Sequence, residues 1–324
     1  MLLSIGAILL GLVLLVWSAD RFVEGASATA GHLGVSSLVI GITIIGFGTS
    51  APEILISLIA VMQDTPDLAI GNALGSNIAN IGLILGVTAL LLPLPIASNI
   101  LKREFPLLIL ASALLVYALW DSQLDRVDGV LLLTLLFLVL WYILRSSRNQ
   151  KDDPLVVEIE AEISHQMSLK TGLIWLLIGL LILVISSKIL VWGAVNIATA
   201  LGISELVIGL TIVALGTSLP ELAAAIASAR KGEPDLAIGN VIGSNLFNSL
   251  AVIGIPALLI DFSVNTSAVT RDLPAVIIIT LLLFLLAKFS LSGKQGLSRR
   301  KGLLLLSSFV FYQGYLYYQV TNVV

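Results

Sequence analysis

The sequence predicts an all-α integral membrane protein of ten transmembrane helices, arranged as two inverted five-helix repeats in which helices 2, 3, 7 and 8 are broken. Three observations lead there. The composition suits only hydrocarbon, ten segments have spanning length, and the chain contains a duplication with an odd number of spans per copy.

Of the 324 residues, 58% are hydrophobic and 11% charged. Water-soluble domains carry about 25% charged residues, so this chain has too few to cover a surface facing water. A net charge of −3 points to neither nucleic acid nor an acidic substrate, and the few charges matter by position. The absence of cysteine excludes disulfides, thiolate metal sites and a cysteine nucleophile.

A spanning helix needs ~20 mostly apolar residues. Such segments lie near 2–23, 36–61, 67–92, 104–120, 128–144, 171–192, 204–229, 235–260, 273–289 and 302–320. The first lacks a basic n-region and a small-residue cleavage site, so it reads as a retained span rather than a signal peptide. Trp17, Trp120, Trp141, Trp175 and Trp192 fall near span ends, where indole rings favour the membrane–water interface. Tyr312, Tyr315, Tyr317 and Tyr318 are expected to do the same in the last span.

Lys and Arg set the orientation. Fourteen of the 17 fall on one set of span ends and loops, and only Arg126, Lys188 and Arg271 on the other. The expectation is a multi-pass protein of the plasma (inner) membrane with both termini extracytoplasmic. The longest loop, 145–170, is then cytoplasmic. Its acids Asp152, Asp153, Glu158, Glu160 and Glu162 do not follow calcium-loop spacing, so it reads as a hinge. The domain division is 1–144 for the first repeat, 145–170 for the linker and 171–324 for the second repeat.

Shifting the chain by 168 residues aligns Gly41–Gly86 with Gly209–Gly254 without a gap, and 20 of 46 positions are identical. The register continues outward: Ser18, Gly25 and Gly34 meet Ser186, Gly193 and Gly202, and Arg103–Glu104 meets Arg271–Asp272. Five spans per copy is odd, so the second copy enters the membrane from the opposite side. The loop charges agree, because 62–67 has no basic residue while its counterpart carries Arg230 and Lys231. Inverted repeats with interrupted helices and a midplane site characterise secondary transporters.

Two motifs hold most of the identities. Gly48-Thr49-Ser50-Ala51-Pro52-Glu53 is matched by Gly216-Thr217-Ser218-Leu219-Pro220-Glu221, each mid-span. Proline lacks an N–H and clashes with the preceding turn, so Pro52 frees the Gly48 carbonyl, and Thr49 or Ser50 can cap the half-helix restarting there. Freed carbonyls at membrane depth are tolerated only where they line a cavity or are buried in protein. In the second motif, Asn72, Ser76 and Asn80 recur at four-residue spacing, and Asn240, Ser244 and Asn248 repeat that polar stripe. Asn77 and Asn245 lie off the stripe and read as structural. Asp67 and Asp235 stand at span starts, where a carboxylate favours the helix dipole; an ion-access role is the alternative. His32 and His165 read as loop residues.

Glu53 and Glu221 are the carboxylates near the centre of predicted spans, where a charge is costly and usually faces a functional cavity. Two carboxylates, hydroxyls and freed carbonyls form a hard oxygen cage with a charge of about −2, which suits Ca2+ with its ~6–8 oxygen ligands and can also hold Na+. Softer metals favour His or Cys. The bland alternative is a pair of protonated, hydrogen-bonded structural acids.

The paired GTS-x-PE and GN-x-x-GSN motifs resemble the alpha-repeats of the sodium/calcium exchanger family, within the cation/calcium antiporter superfamily, and above all its short prokaryotic members. The resemblance covers essentially the whole chain. It implies ten helices in two inverted repeats, alternating access, and exchange of three Na+ for one Ca2+. Carried over by position, it implies Glu53 and Glu221 as shared Ca2+ and Na+ ligands, with the Thr49 and Thr217 carbonyls completing the Ca2+ site. Ser50, Ser76, Ser218 and Ser244 would serve the Na+ sites with carbonyls of Gly46 and Ala214, and Asn80 and Asn248 would sit in the central polar layer. The sequence departs from part of the family at Asn248, where some members carry Asp; this removes one ionisable group and leaves both main ligands.

The expected function is Na+/Ca2+ antiport, with H+/Ca2+ or K+-dependent exchange as the alternative and a cation channel behind both. An enzyme is not expected, since the spans hold no Ser/His or Cys/His pair. Neither is a cofactor beyond the transported ions, nor a nucleic-acid partner, and the chain is expected to function as a monomer in the bilayer. Spans 1 and 6 are expected to rock past a core of 2–5 and 7–10.

Overall fold

In hydrocarbon every backbone N–H and C=O must be satisfied within the protein, which leaves the helix as the natural form for these apolar runs. The computed structural model describes residues 1–96, 98–148, 167–202, 214–289 and 296–322. Its helices are α1 (Leu2–Leu33), α2 (Ser37–Met62), α3 (Pro66–Leu91), α4 (Ser98–Ala118), α5 (Arg126–Arg148), α6 (Leu169–Ala200), α7 (Ala214–Thr217), α8 (Leu219–Arg230), α9 (Pro234–Leu259), α10 (Ala268–Lys288) and α11 (Arg299–Asn322). Among the described residues, α1, α2, α3, α5, α6, α9 and α10 are long and apolar enough to cross a bilayer. The other predicted spans fall on α4, which carries Lys102, Arg103 and Glu104, on the short α7–α8 pair, and on the tyrosine-rich α11. The acids of the 145–170 loop and His165 lie outside the described residues, as do residues 209–213 of the second motif region.

Elements recur at the offset seen in the sequence. Pro66 opens α3 and Pro234 opens α9, 168 residues on. The short strands β1 (Leu94–Pro95) and β3 (Phe262–Ser263) follow α3 and α9 at the same offset. Each pairs antiparallel with a strand that leads directly into another helix: β1 with β4 (Gly296–Leu297), and β3 with β2 (Gln123–Leu124). The end of α3 is thereby tied to the start of α11, and the end of α9 to the start of α5. Gly296, at φ +141 with its α-carbon facing the Leu94 carbonyl, holds a conformation and a space that no side chain fits.

Helices α1 and α6 pack antiparallel along their length through small residues. A methyl group on Gly11 would meet Leu190, one on Gly179 would meet Phe22, and one on Gly193 would meet Ile8 and the Ser4 carbonyl. Small residues let helix backbones approach closely where lipid removes the hydrophobic drive to associate. The opposite face of α1, with Leu2, Leu9, Leu12, Val13 and Val16, is exposed and suits acyl chains. Helices α3 and α9 are the most deeply buried of the spanning helices and form the centre of the core with Ile70, Leu74, Ile78, Val241, Ile242 and Leu246.

The expected breaks in helices 2, 3 and 8 are not present. Helices α2, α3 and α9 each run on as one helix, with wider π turns at Gly41–Ile45, Asn80–Leu85 and Asn248–Val252. A π turn accommodates an extra residue without ending the helix, and such turns gather at functional sites. Pro52 stays inside its helix. Only the second copy of the proline motif is interrupted, at Ser218 between α7 and α8. His32, expected in a loop, lies in the last turn of α1 with Nδ1 at 2.9 Å from the Ala28 carbonyl.

Candidate functional site

The two proline motifs place Glu53 on α2 and Glu221 on α8, one residue after each proline. Both acids are buried, 1% and 2% exposed, and they are close enough for Glu221 to feel the charge of Glu53. Among the described residues, no basic side chain is among the groups acting on either carboxyl. Burying like charges without a counter-charge is among the most expensive arrangements a protein can make. The Oε2 atoms of both glutamates, Ser50 Oγ and Asn248 Oδ1 are buried without a hydrogen-bond partner. Buried polar oxygens normally find one, so each exception needs an explanation. Here all four are oxygens able to face a cation.

The helices of the second motif close around this pair. Thr49 does not cap a restarting helix; its Oγ1 lies 3.1 Å from the Ile45 carbonyl, 3.2 Å from Asn240 Oδ1 and 3.3 Å from Ser244 Oγ. One hydroxyl of the first copy thus touches two side chains of the second. Gly46 backs onto Gly243 and Ser244, and Gly41 onto Gly239, which lets α2 and α9 meet backbone to backbone. Asn80 and Asn248, both buried, each open a π turn. Asn80 donates to Asn245 Oδ1 at 2.9 Å, and Asn77 to Ser249 Oγ at 2.9 Å, so the off-stripe asparagines stitch the copies together.

Of the other expected ligands, Ser76 on α3 and Ser244 on α9 are buried, Ser218 is buried at the α7–α8 interruption, Thr217 closes α7, and Ala214 opens it. Asp67 accepts from the Asn265 N–H at 3.1 Å, so it binds a loop of the other copy. No group of three or more His, Cys, Asp or Glu side chains gathers among the described residues. A cation here would therefore complete its shell from hydroxyls, amides and carbonyls.

Two features lay outside the sequence reading. Ser187 on α6 donates to the Gly216 carbonyl at 2.8 Å, the group whose helical donor Pro220 removes. Its repeat counterpart is Ala19, so no duplication pointed to it. A cavity of about 340 Å³ also reaches the motifs, between Pro52 and Ile56 of α2, Ser187, Lys188 and Trp192 of α6, and Thr217 and Pro220.

A buried, uncompensated acid pair, one on the spanning helix α2 and one on the shorter α8, marks a membrane protein that handles cations. Residues 3–145 and 171–318 match the family described as sodium/calcium exchanger protein. The inner membrane protein YrbG of Escherichia coli is 42% identical over 98% of this chain and 98% of its own length. The sodium/calcium exchanger MaX1 of Methanosarcina acetivorans is 31% identical over 96% and 97%. A solved structure of the sodium-calcium exchanger NCX_Mj superposes with a TM-score of 0.82 at 35% identity, covering 97% of this chain and 99% of that one. The chain belongs to the sodium/calcium exchanger family. It is a multi-pass membrane protein of a family of transporters, not enzymes, whose cargo is Na+ and Ca2+.

Proposed function

We propose that this chain exchanges Na+ for Ca2+ by alternating access, with Glu53 and Glu221 binding the two kinds of ion in turn. The observation that carries the reading is the buried, mutually repelling acid pair without a basic partner. Ionised, such a pair is poorly stable without a bound cation, so the ion that leaves must be replaced by another cation or by protons. The Thr49 and Thr217 carbonyls complete the Ca2+ shell; Ser50, Ser76, Ser218, Ser244 and the Gly46 and Ala214 carbonyls serve Na+; Asn80 and Asn248 hold the central layer. The ten helices form two inverted repeats, 1–144 and 171–324, joined by a cytoplasmic linker at 145–170, with both termini extracytoplasmic in the inner membrane. One chain suffices for transport.

The moving part is the α1–α6 pair. The small-residue seam between them supports a unit that travels together. Helix α1 meets the core at the turn ahead of α9, where Glu24 pairs with Lys231 at 2.9 Å and the Ser27 hydroxyl donates to Glu233. The test is uptake of radiolabelled Ca2+ into proteoliposomes loaded with Na+. Uptake driven by the outward Na+ gradient is expected. Uptake that ignores Na+ and follows a pH or K+ gradient would replace this reading with proton-coupled or K+-dependent exchange.

A further inference from the structure

The polar stripes contain two asparagines outside the ligand set. Asn72 on α3 donates through Nδ2 to the main-chain carbonyl of Glu53 at 3.1 Å and to Ser57 Oγ at 3.0 Å. Asn240 on α9 donates through Nδ2 to the main-chain carbonyl of Glu221 at 3.3 Å, and its Oδ1 lies 3.2 Å from Thr49 Oγ1. We propose that Asn72 and Asn240 are positioning residues: each pins the backbone of one acidic ligand to the neighbouring helix and so sets where its carboxylate stands in the cation site. This rests on Glu53 and Glu221 being the ion ligands.

The need for such a pin follows from the prolines. Pro52 and Pro220 immediately precede the two acids, and each removes the hydrogen bond that would tighten the turn before it. The glutamates therefore begin the first well-held turn after a loosened one. A carbonyl oxygen has two lone pairs, so an amide from the next helix can bind it without displacing the helical bond. Ca2+ takes oxygens at ~2.3–2.6 Å, and a backbone drift of a few tenths of an ångström moves a carboxylate out of that range. The two copies support a shared task. The second partner of Asn72, Ser57, is replaced by Ala225, yet the amide-to-carbonyl bond is present in both. Asn240 has the larger role, since it also holds Thr49 of the opposite copy.

A merely structural asparagine would lower stability and leave ion affinity alone, so the readout is the KM for Ca2+ in the Na+-gradient assay. Asn72→Ala, Asn240→Ala and the shape-preserving Asn72→Leu and Asn240→Leu are measured beside Glu53→Gln and Glu221→Gln. Loss of the amide-to-carbonyl hydrogen bond is expected to raise KM about tenfold, more at buried Asn240 than at half-buried Asn72, with the maximal rate changed less. Wild-type KM at both positions, while the glutamine variants are inactive, overturns the positioning role alone. Wild-type transport in the glutamine variants overturns the site itself. Should the alanine variants fail to fold, the leucine variants decide through the rise in Tm on adding Ca2+. A smaller rise than in wild type supports the pin, and an equal rise overturns it.

Discussion

Gly243→Ala tests the contact on which the site geometry stands. Gly243 on α9 faces the backbone of Ile42 in the π turn of α2. A methyl carbon there would stand 2.7 Å from Ile42 Cα and 2.8 Å from its carbonyl carbon. Every crowded atom is main chain, so no rotamer change relieves the clash and the helices must part by about half an ångström. Thr49 Oγ1 holds Asn240 Oδ1 at 3.2 Å and Ser244 Oγ at 3.3 Å across this same seam. Parting by that amount takes both beyond hydrogen-bond range, which ends near 3.5 Å. Overpacking costs about 1–3 kcal/mol and two lost hydrogen bonds about 1 kcal/mol each, so roughly 3–5 kcal/mol in all. The detergent-solubilised protein should unfold roughly 5–10 °C lower, and the KM for Ca2+ should rise because Thr49 shifts. Gly6→Ala on α1 is the control, since a methyl group there meets nothing within 4 Å. Wild-type Tm and KM in Gly243→Ala would refute the claim that backbone contact between α2 and α9 sets the site.

Three further substitutions probe other parts of the account. Ser187→Ala leaves the Gly216 carbonyl without its 2.8 Å donor; a loss of about 1–3 kcal/mol in stability is expected, read as a lower Tm. Lys231→Met breaks the pair with Glu24, whose side chains are 28% and 33% exposed. Such pairs contribute about 0–1 kcal/mol, so the Tm should barely move and any difference from wild type should vanish in high salt. Asn248→Asp adds a third acid beside the unpartnered oxygens. Ca2+ exchange should then become pH-dependent, strengthening as the new acid ionises, and the steepness of the Na+ dependence should increase in a flux assay.

Much of the site was legible because duplication made it so. A glutamate after a proline in a spanning segment is ambiguous once; at Glu53 and Glu221, in matched surroundings, it singles out the buried pair the structure contains. The same matching marked Asn80 and Asn248, which each begin a π turn. The helix breaks were misjudged because proline chemistry states that a hydrogen bond is lost, not how the chain absorbs the loss. At Gly216 a serine from another helix absorbs it, and α2 carries Pro52 without ending. Ser187 was invisible to the repeat because the first copy has Ala19 in its place. The cross-pairing of β1 with β4 and β2 with β3 depends on which ends the folded helices bring together, and residues as brief as Leu94–Pro95 carry no local strand pattern. His32 was assigned by its neighbourhood to a loop, whereas α1 runs on past the apolar stretch to Leu33.

The central claim is that cations are held by the charges of two buried acids. Glutamine keeps the shape of glutamate and removes its charge, so the decisive measurement is Na+-gradient-driven Ca2+ uptake by proteoliposomes carrying Glu53→Gln and Glu221→Gln together. The account predicts uptake no greater than in protein-free vesicles, from a variant that still folds and reconstitutes. Uptake at the wild-type rate would contradict it.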